Sequence, residues 1–165
     1  EESETLMPIV RGPLTSEEVI QFVNATRPSP GFKRFLRFRQ SHPDAAFLDP
    51  DTGSWESWEA SMLRDDVAQM FGFPFAHDSG IDRISWVANL ITNWMGDQGF
   101  LKSLSVTLTL PNVYGDVTWC RGRVTGKHRQ DGRHLADLEV WCENQRGQQT
   151  AHGRATVDLP SQGAG

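Results

Sequence analysis

Residues 72–101 read GFPFAHDSGIDRISWVANLITNWMGDQGFL, and the middle of this stretch decides the fold. Ile84, Val87, Ala88, Ile91 and Met95 recur at helical spacing and form one apolar stripe. Trp86, Leu90 and Trp94 form a second stripe beside it, leaving a polar wedge of Ser85, Asn89 and Thr92. A surface helix needs one apolar stripe, so a helix apolar around most of its circumference has to be covered. Gly80 before it and Gly96-Asp97 after it are stop signals, which predicts a central helix over about 81–95. The chain that follows is the obvious cover.

After the helix the apolar period falls to two. Leu104, Val106, Leu108 and Leu110 alternate with Ser105, Thr107 and Thr109, and Pro111-Asn112 with Gly115-Asp116 marks a break or bulge. Residues 117–126 read as a second strand, and RQDGR supplies an Asp-Gly hairpin turn. Residues 135–143 place Ala136, Leu138, Val140 and Cys142 on one side. After a turn at Gln145-Arg146-Gly147, a last strand alternates Ala151, Gly153, Ala155, Val157 and Leu159 with His152, Arg154, Thr156 and Asp158. Its small residues predict close approach to a neighbouring element. The expectation is an α+β fold, with an antiparallel meander over about 103–160 curled around one helix.

The N-terminal half is less regular. Residues 7–11 are extended and broken by Gly12-Pro13. Thr15 with Glu18 makes a capping box for a helix whose apolar side carries Val19, Ile20, Phe22 and Val23. In GFKRFLRFRQSHPD, Lys33, Arg34, Arg37 and Arg39 interleave with Phe32, Phe35, Leu36 and Phe38, as an amphipathic helix with a solvated basic face or a phosphate-binding surface would. Residues 43–60 show little periodicity and read as a long loop anchored by Trp55 and Trp58; a short helix over 63–71 follows.

At 165 residues, 38% hydrophobic and a formal charge of −5, the chain is expected to be one domain over 1–165, with no affinity for nucleic acid as a bulk partner. No apolar run reaches the length of a membrane span and the acidic start is no signal peptide, which places the expectation in the cytoplasm. Cys120 and Cys142 lie in the similar phrases VTWC and EVWC and oppose each other, within one residue, if their segments pair as a hairpin. They read as small buried thiols before they read as a redox pair. The five histidines lack ligand spacing, so no metal site is expected.

Several phrases carry a resemblance. Asp82-Arg83-Ile84-Ser85-Trp86, Thr92-Asn93-Trp94-Met95-Gly96-Asp97, Gly115-Asp116 with VTWCRGRVTGK, Val140-Trp141 with Glu143-Asn144-Gln145-Arg146-Gly147, and Gly153-Arg154-Ala155-Thr156-Val157 with Leu159-Pro160 together resemble the MaoC-like, FAS1-type dehydratase branch of the hotdog-fold superfamily. The resemblance implies a curved antiparallel sheet wrapped on a long helix, which coincides with the reading above. It also implies chemistry on acyl-CoA thioesters, the reversible hydration of a trans-2-enoyl-CoA to an (R)-3-hydroxyacyl product. Coenzyme A enters as part of the substrate, and no resident cofactor is implied.

That chemistry needs a paired acid and base to activate water and protonate the α-carbon. In the family's motif an Asp precedes a His by five positions, and Asp-x-x-x-Ala-x-x-x-Gly follows. Ala68 and Gly72 fit the end of the pattern, which puts Met62 at the His position and Ser57 at the Asp position. Neither can do the work, and no His lies between His42 and His77. The resemblance therefore implies the non-catalytic half of a hydratase that shapes the acyl pocket and pairs with a dyad-bearing hotdog subunit, as in heteromeric hydratases of steroid side-chain breakdown. Two alternatives stay open. The chain could act alone, as a homodimer, through His77 and Asp78 near the helix start, where a thioester carbonyl would lie. Or it could be a non-enzymatic acyl-binding or assembly subunit, with Trp55, Trp58, Trp119 and Trp141 lining a pocket or interface. Gly80, Arg83, Trp86, Asn89 and Asn93 are the expected substrate contacts. Asp78 also suits a turn or cap, Arg83 a buried pair, and Asp97 a backbone amide or Arg83. A cone-like α+β barrel of the nuclear-transport-factor type is the competing fold, disfavoured because there the covering helices come first.

Overall fold

The computed structural model describes residues 4–26, 37–38 and 40–160. In chain order the elements are β1 (Ile9–Arg11), α1 (Ser16–Thr26), β2 (Ala46–Leu48), β3 (Trp55–Ser57), α2 (Asp65–Met70), α3 (Gly80–Met95), β4 (Phe100–Leu108), β5 (Thr118–Gln130), β6 (Arg133–Asn144) and β7 (Gln149–Leu159). Short 3-10 turns occupy Pro43–Ala45 and Trp58–Met62. Most of the interleaved basic and aromatic segment, including Phe32, Lys33, Arg34, Phe35, Leu36 and Arg39, lies outside the described residues.

The main sheet is antiparallel with the order β1-β5-β6-β7-β4. Three successive strands, β5 to β7, form the expected meander. β4 corrects the rest of that expectation: it pairs with β7 at the far edge, so the connection to β5 crosses the sheet. Alternation alone fixes which face of β4 is buried, and says nothing of its neighbour. Asp131 (φ 51°) and Gly132 (φ 79°) take the left-handed conformation that a two-residue hairpin turn demands, and they join β5 to β6. Register shifts between Leu101 and Ser103, between Val124 and Gly126, and between Cys142 and Glu143 interrupt three of the ladders. Irregularities of this kind increase local twist and help the sheet curl.

One face of the sheet supplies Cys120, Val124, Leu138, Val140, Cys142, Ala151, Ala155 and Val157, packed against Trp86, Val87, Leu90 and Ile91 of α3. The small residues of β7 matter as expected. A methyl group on Gly153 would sit 2.2 Å from the Ser105 carbonyl oxygen of β4, so only glycine lets these strands meet. Cys120 and Cys142 are directly paired, fully buried and reduced, with sulfurs 3.5 Å apart.

Among the described residues the helix is covered on one side only. Ile84, Ala88 and Met95 are half-buried, Ser85 and Thr92 are exposed, and Ile81 is 51% exposed. The second apolar stripe and part of the first face the sheet; the remainder faces outward. A curved sheet of five strands reaches around roughly half of a helix, which the near-continuous apolar surface of α3 did not reveal.

In the N-terminal half, Thr15 accepts the Glu18 amide at 3.2 Å and starts α1. Val19 is buried with Leu14 and Met62 in a satellite cluster completed by Val23 and Tyr114, while Ile20 faces out at 45% exposure. The segment read as a long loop holds the β2–β3 hairpin. Its turn is organised by buried Asp49, whose carboxylate accepts the amides of Asp51 (2.9 Å) and Thr52 (3.1 Å) and pairs with Arg64. Strands of three residues are too short to print a period.

Candidate functional site at the start of the central helix

The site is built where α2 ends and α3 begins. Gly72, at φ 83°, closes α2, and the amides of Gly72 and Phe73 return to the carbonyls of Gln69 (3.1 Å) and Ala68 (3.0 Å). Asp65 then accepts the Ala76 amide at 2.7 Å, which brings the loop back over α2 and delivers His77 to the interior. A single bridge to Val113 holds His77 against the connection between β4 and β5.

His77 is 6% exposed and its ring lies 4.3 Å from that of Phe73. Its Nδ1 donates to the Asp78 carbonyl oxygen at 2.8 Å, which leaves the lone pair on Nε2, buried and without a partner. Burial holds the imidazole below its usual range, so it is neutral at pH 7.

The Asp78 side chain turns the other way. It is 1% exposed, ion-paired with Arg83 (Nε to Oδ2, 2.9 Å), and accepts the backbone amide (3.1 Å) and side-chain amide (2.9 Å) of Asn112. It is therefore not the cap or turn ligand that Asp-Ser-Gly suggests, and α3 starts with no side-chain cap from Ser79. Burial is the stronger influence and pushes its carboxyl up to about 6 against the opposing pull of Arg83 and Asn112. Arg83, 4% exposed, also donates through Nη1 to the carbonyl oxygens of Leu110 and of Thr150 (2.6 Å), pinning α3 to the ends of β4 and β7. The expected alternative partner of Arg83, Asp97, is exposed just beyond α3 and takes no part.

Beside this pair stands a carboxylate that the motif reading passed over. Asp82 is 6% exposed and its Oδ2 is buried without a partner. Burial, then the charges of Glu18 and Asp78, push its carboxyl up to about 7 against Arg11 and Arg83. The folded chain thus holds this proton more tightly than the unfolded chain, where a carboxyl titrates near 4. Stability from Asp82 is complete below that value and is lost as pH rises towards 7. Asp82→Asn is accordingly expected to melt above the parent at pH 8, with the difference closing as pH approaches 4. Thermal melts of both proteins across that range measure it; a difference that does not vary with pH would refute the assignment.

The structure brings some of the expected substrate contacts together and separates others. Gly80 opens α3 beside Arg83, and the Leu108 side chain covers it: a β-carbon on Gly80 would lie 2.3 Å from Leu108 Cδ1. Trp86 is a core residue at 7% exposure. Asn89 accepts a 2.6 Å hydrogen bond from Arg11 on β1. Asn93 is exposed, about 20 Å along the helix from Gly80 at the usual rise per residue. Sequence reading missed Asn112, Asp82, Arg11 and Leu108. Asn112 stood inside a phrase read only as a break, and the partnership of Arg11 and Asn89 spans 78 positions.

The position matched to the family's histidine is apolar. Met62 is 2% exposed in the satellite cluster, and its carbonyl accepts the Tyr114 hydroxyl at 2.5 Å. Among the described residues the one histidine–carboxylate contact is His128 to Asp137 (3.3 Å), half-exposed near the β5–β6 hairpin end. Also among them, no group of three or more His, Cys, Asp or Glu is arranged to hold a metal, and no helix is long and apolar enough to cross a membrane.

What the cluster can do follows from these contacts. The Asp82 amide returns to the Ser79 carbonyl at 3.0 Å, and the first turn of α3 lies at the positive end of its dipole, suited to an oxygen that gains negative charge. Next to it stand an unpartnered imidazole nitrogen and a buried carboxyl that titrates near neutrality.

No known family profile matches the sequence, and no curated protein matches it closely. Solved structures do. An (R)-hydratase from A. caviae involved in PHA biosynthesis is 19% identical over 97% of each chain, with a TM-score of 0.67. A chain of the ChsH1-ChsH2 complex from Mycobacterium tuberculosis is 16% identical over 96% of this chain and 97% of that one, at 0.64. The MaoC-like dehydratase from Rhodospirillum rubrum is 12% identical over 96% and 90%, at 0.63. The chain therefore has the α+β hotdog fold, and the likeness to MaoC-like hydratases and dehydratases expected from its motifs is borne out in that fold.

Proposed function

We propose that this chain is the non-catalytic half of an (R)-specific enoyl-CoA hydratase or dehydratase. The observation that carries the reading is Met62, buried with Leu14 and Val19 at the place where the motif requires a histidine. A titratable side chain there would face an apolar cluster rather than a substrate. In this reading a dyad-bearing hotdog subunit supplies the acid and base. This chain supplies the acyl pocket and, at the start of α3, dipole and amides for the thioester carbonyl. Two further features support the pairing. Among the described residues β4 is a sheet edge, with backbone groups on one side left unpaired. Around it and the start of α3, Phe73, Phe75, Ile81, Leu108 and Leu110 are all at least 36% exposed, apolar side chains that a partner would cover. The ChsH1-ChsH2 structure is a precedent for this fold in a two-component complex. A bulky acyl chain, such as a steroid side chain, suits a half with no catalytic side chains to accommodate, and the cytoplasm suits an acyl-CoA substrate.

The test is hydration of a trans-2-enoyl-CoA by the chain alone and with a dyad-bearing partner, followed at the loss of the conjugated thioester absorbance. The specific observation favouring a second reading is His77, whose unpartnered Nε2 could serve a self-sufficient homodimer in combination with Asp78 or Asp82. Activity of the pure chain that disappears in His77→Ala would establish that reading instead.

A further inference from the structure

The face of the sheet turned away from α3 carries a cavity of about 550 Å³ over the middle of β4, β7, β6 and β5. Strand alternation places Ser105 and Thr107, His152 and Arg154, Glu139 and Trp141, and Arg123 on this face, with the backbone of Val140 and Gly153 as floor. Register fixes their order. Thr107, His152 and Trp141 stand in one row across three strands, and Ser105, Arg154, Glu139 and Arg123 in the next across four.

The chemistry of the lining is one-sided. Its one carboxylate, Glu139, is taken by Arg123 through bonds of 2.6 and 2.5 Å. That leaves the Arg154 guanidinium with no ion pair or hydrogen bond to a described residue, although its strand register sets it directly opposite Glu139. The side chains of Ser105, Thr107, Trp141, Gln149 and His152 are likewise uncommitted. Counted as hydrogen-bonding groups, the free members are a guanidinium, an indole N–H, a primary amide, two hydroxyls and an imidazole, far richer in donors than in fixed acceptors. Two arginines against one glutamate make the lining net positive in a chain of net charge −5. A donor-rich, cationic cavity recognises an acceptor-rich anion. The volume falls within the range of small-molecule sites and greatly exceeds one phosphate group, and the indole of Trp141 offers a flat surface for a ring.

We propose that this outer cavity binds a small organic phosphate bearing an aromatic ring, of the nucleotide class, with Arg154 on the phosphate and Trp141 against the ring. It stands on different side chains from the site at the start of α3 and does not depend on the function argued for that site. The probes are ADP, inorganic phosphate and adenosine, titrated calorimetrically into the whole chain at low salt. ADP is expected to bind most tightly, and Arg154→Gln to weaken it at least tenfold. Trp141→Phe is expected to weaken ADP and adenosine while sparing phosphate, and 0.5 M NaCl to weaken ADP and phosphate but not adenosine. Arg154 is exposed, so its replacement is not expected to impair folding, and the melting temperature of each variant checks this. Either of two results overturns the proposal: no heat from ADP at millimolar concentration, or unchanged ADP affinity in a folded Arg154→Gln. Sedimentation showing that copies of the chain associate through this face and thereby exclude ADP also overturns it.

Discussion

No hydration of a trans-2-enoyl-CoA is expected from this chain alone, and addition of a dyad-bearing hotdog subunit is expected to produce turnover at least a hundredfold above that background. The size of the effect follows from what general acid–base catalysis contributes, about 10²- to 10⁴-fold. Carbonyl polarisation at the start of α3 leaves the remaining proton transfers unassisted, because Met62 carries no proton and is sealed among Leu14, Val19 and Tyr114. Two controls make the result informative. Met62→His in this chain is not expected to restore activity, since Ser57 supplies no carboxylate and a buried imidazole there has no partner to orient it. Removal of the partner's dyad should abolish turnover while leaving the complex assembled. Turnover by the pure chain, insensitive to added partner, would sink the split-enzyme reading and direct attention to His77 and Asp82.

Arg83→Met is expected to lower stability by about 3–5 kcal/mol, the cost of leaving one member of a buried ion pair uncompensated. Asp78 and Arg83 are 1% and 4% exposed, and loss of the guanidinium also strips a donor from the carbonyls of Leu110 and Thr150. Ordinary domains are stable by roughly 5–15 kcal/mol, so the variant lies near the limit of folding. Asp78→Asn alone should also be costly, because it strands Arg83. The double variant should lose clearly less than the sum of the two single losses, since neither buried charge is then left alone. The pH dependence has a definite sign. Without Arg83 the folded-state carboxyl of Asp78 rises further above its unfolded value, so the cost of Arg83→Met is greatest at pH 8 and shrinks towards pH 5, where the neutral acid fits the site. Urea unfolding of the four proteins at both pH values measures all of this; additive losses that ignore pH would mean that the two side chains are not coupled.

Local periodicity predicted the elements that have a strong local signal. The 3.6-residue repeat located α3 to within a residue, and the alternation in β6 and β7 assigned the named side chains to their faces. Position among neighbours was another matter. Nothing in the sequence of β4 says that it leaves β5 for the far side of β7, because pairing is decided by which edge remains free once the meander has closed. The motifs behave in the same way. Gly115-Asp116 and Gln145-Arg146-Gly147 were legible as turns, yet their role is mutual. Asp116 holds Arg146 through two bonds of 2.6 and 2.7 Å, accepts Gln145 at 2.9 Å and takes the Val113 amide at 3.1 Å, locking two loops together. At the candidate site His77, Asp78, Gly80 and Arg83 could be named from their place before and within the helix. Asn112, Arg11 and Leu108 reach it from distant parts of the chain, and no spacing rule connects them.

The paired cysteines of β5 and β6 turn the middle of this sheet into a clock. Both are wholly inaccessible on adjacent interior strands, so a thiol reagent reaches them only when the sheet comes apart. The pace of their labelling therefore reports how often the core opens, separately from the fraying of edges and loops. A subunit docked along β4 would reveal itself in the same trace as a slowing of that clock, without any substrate, dye or engineered label.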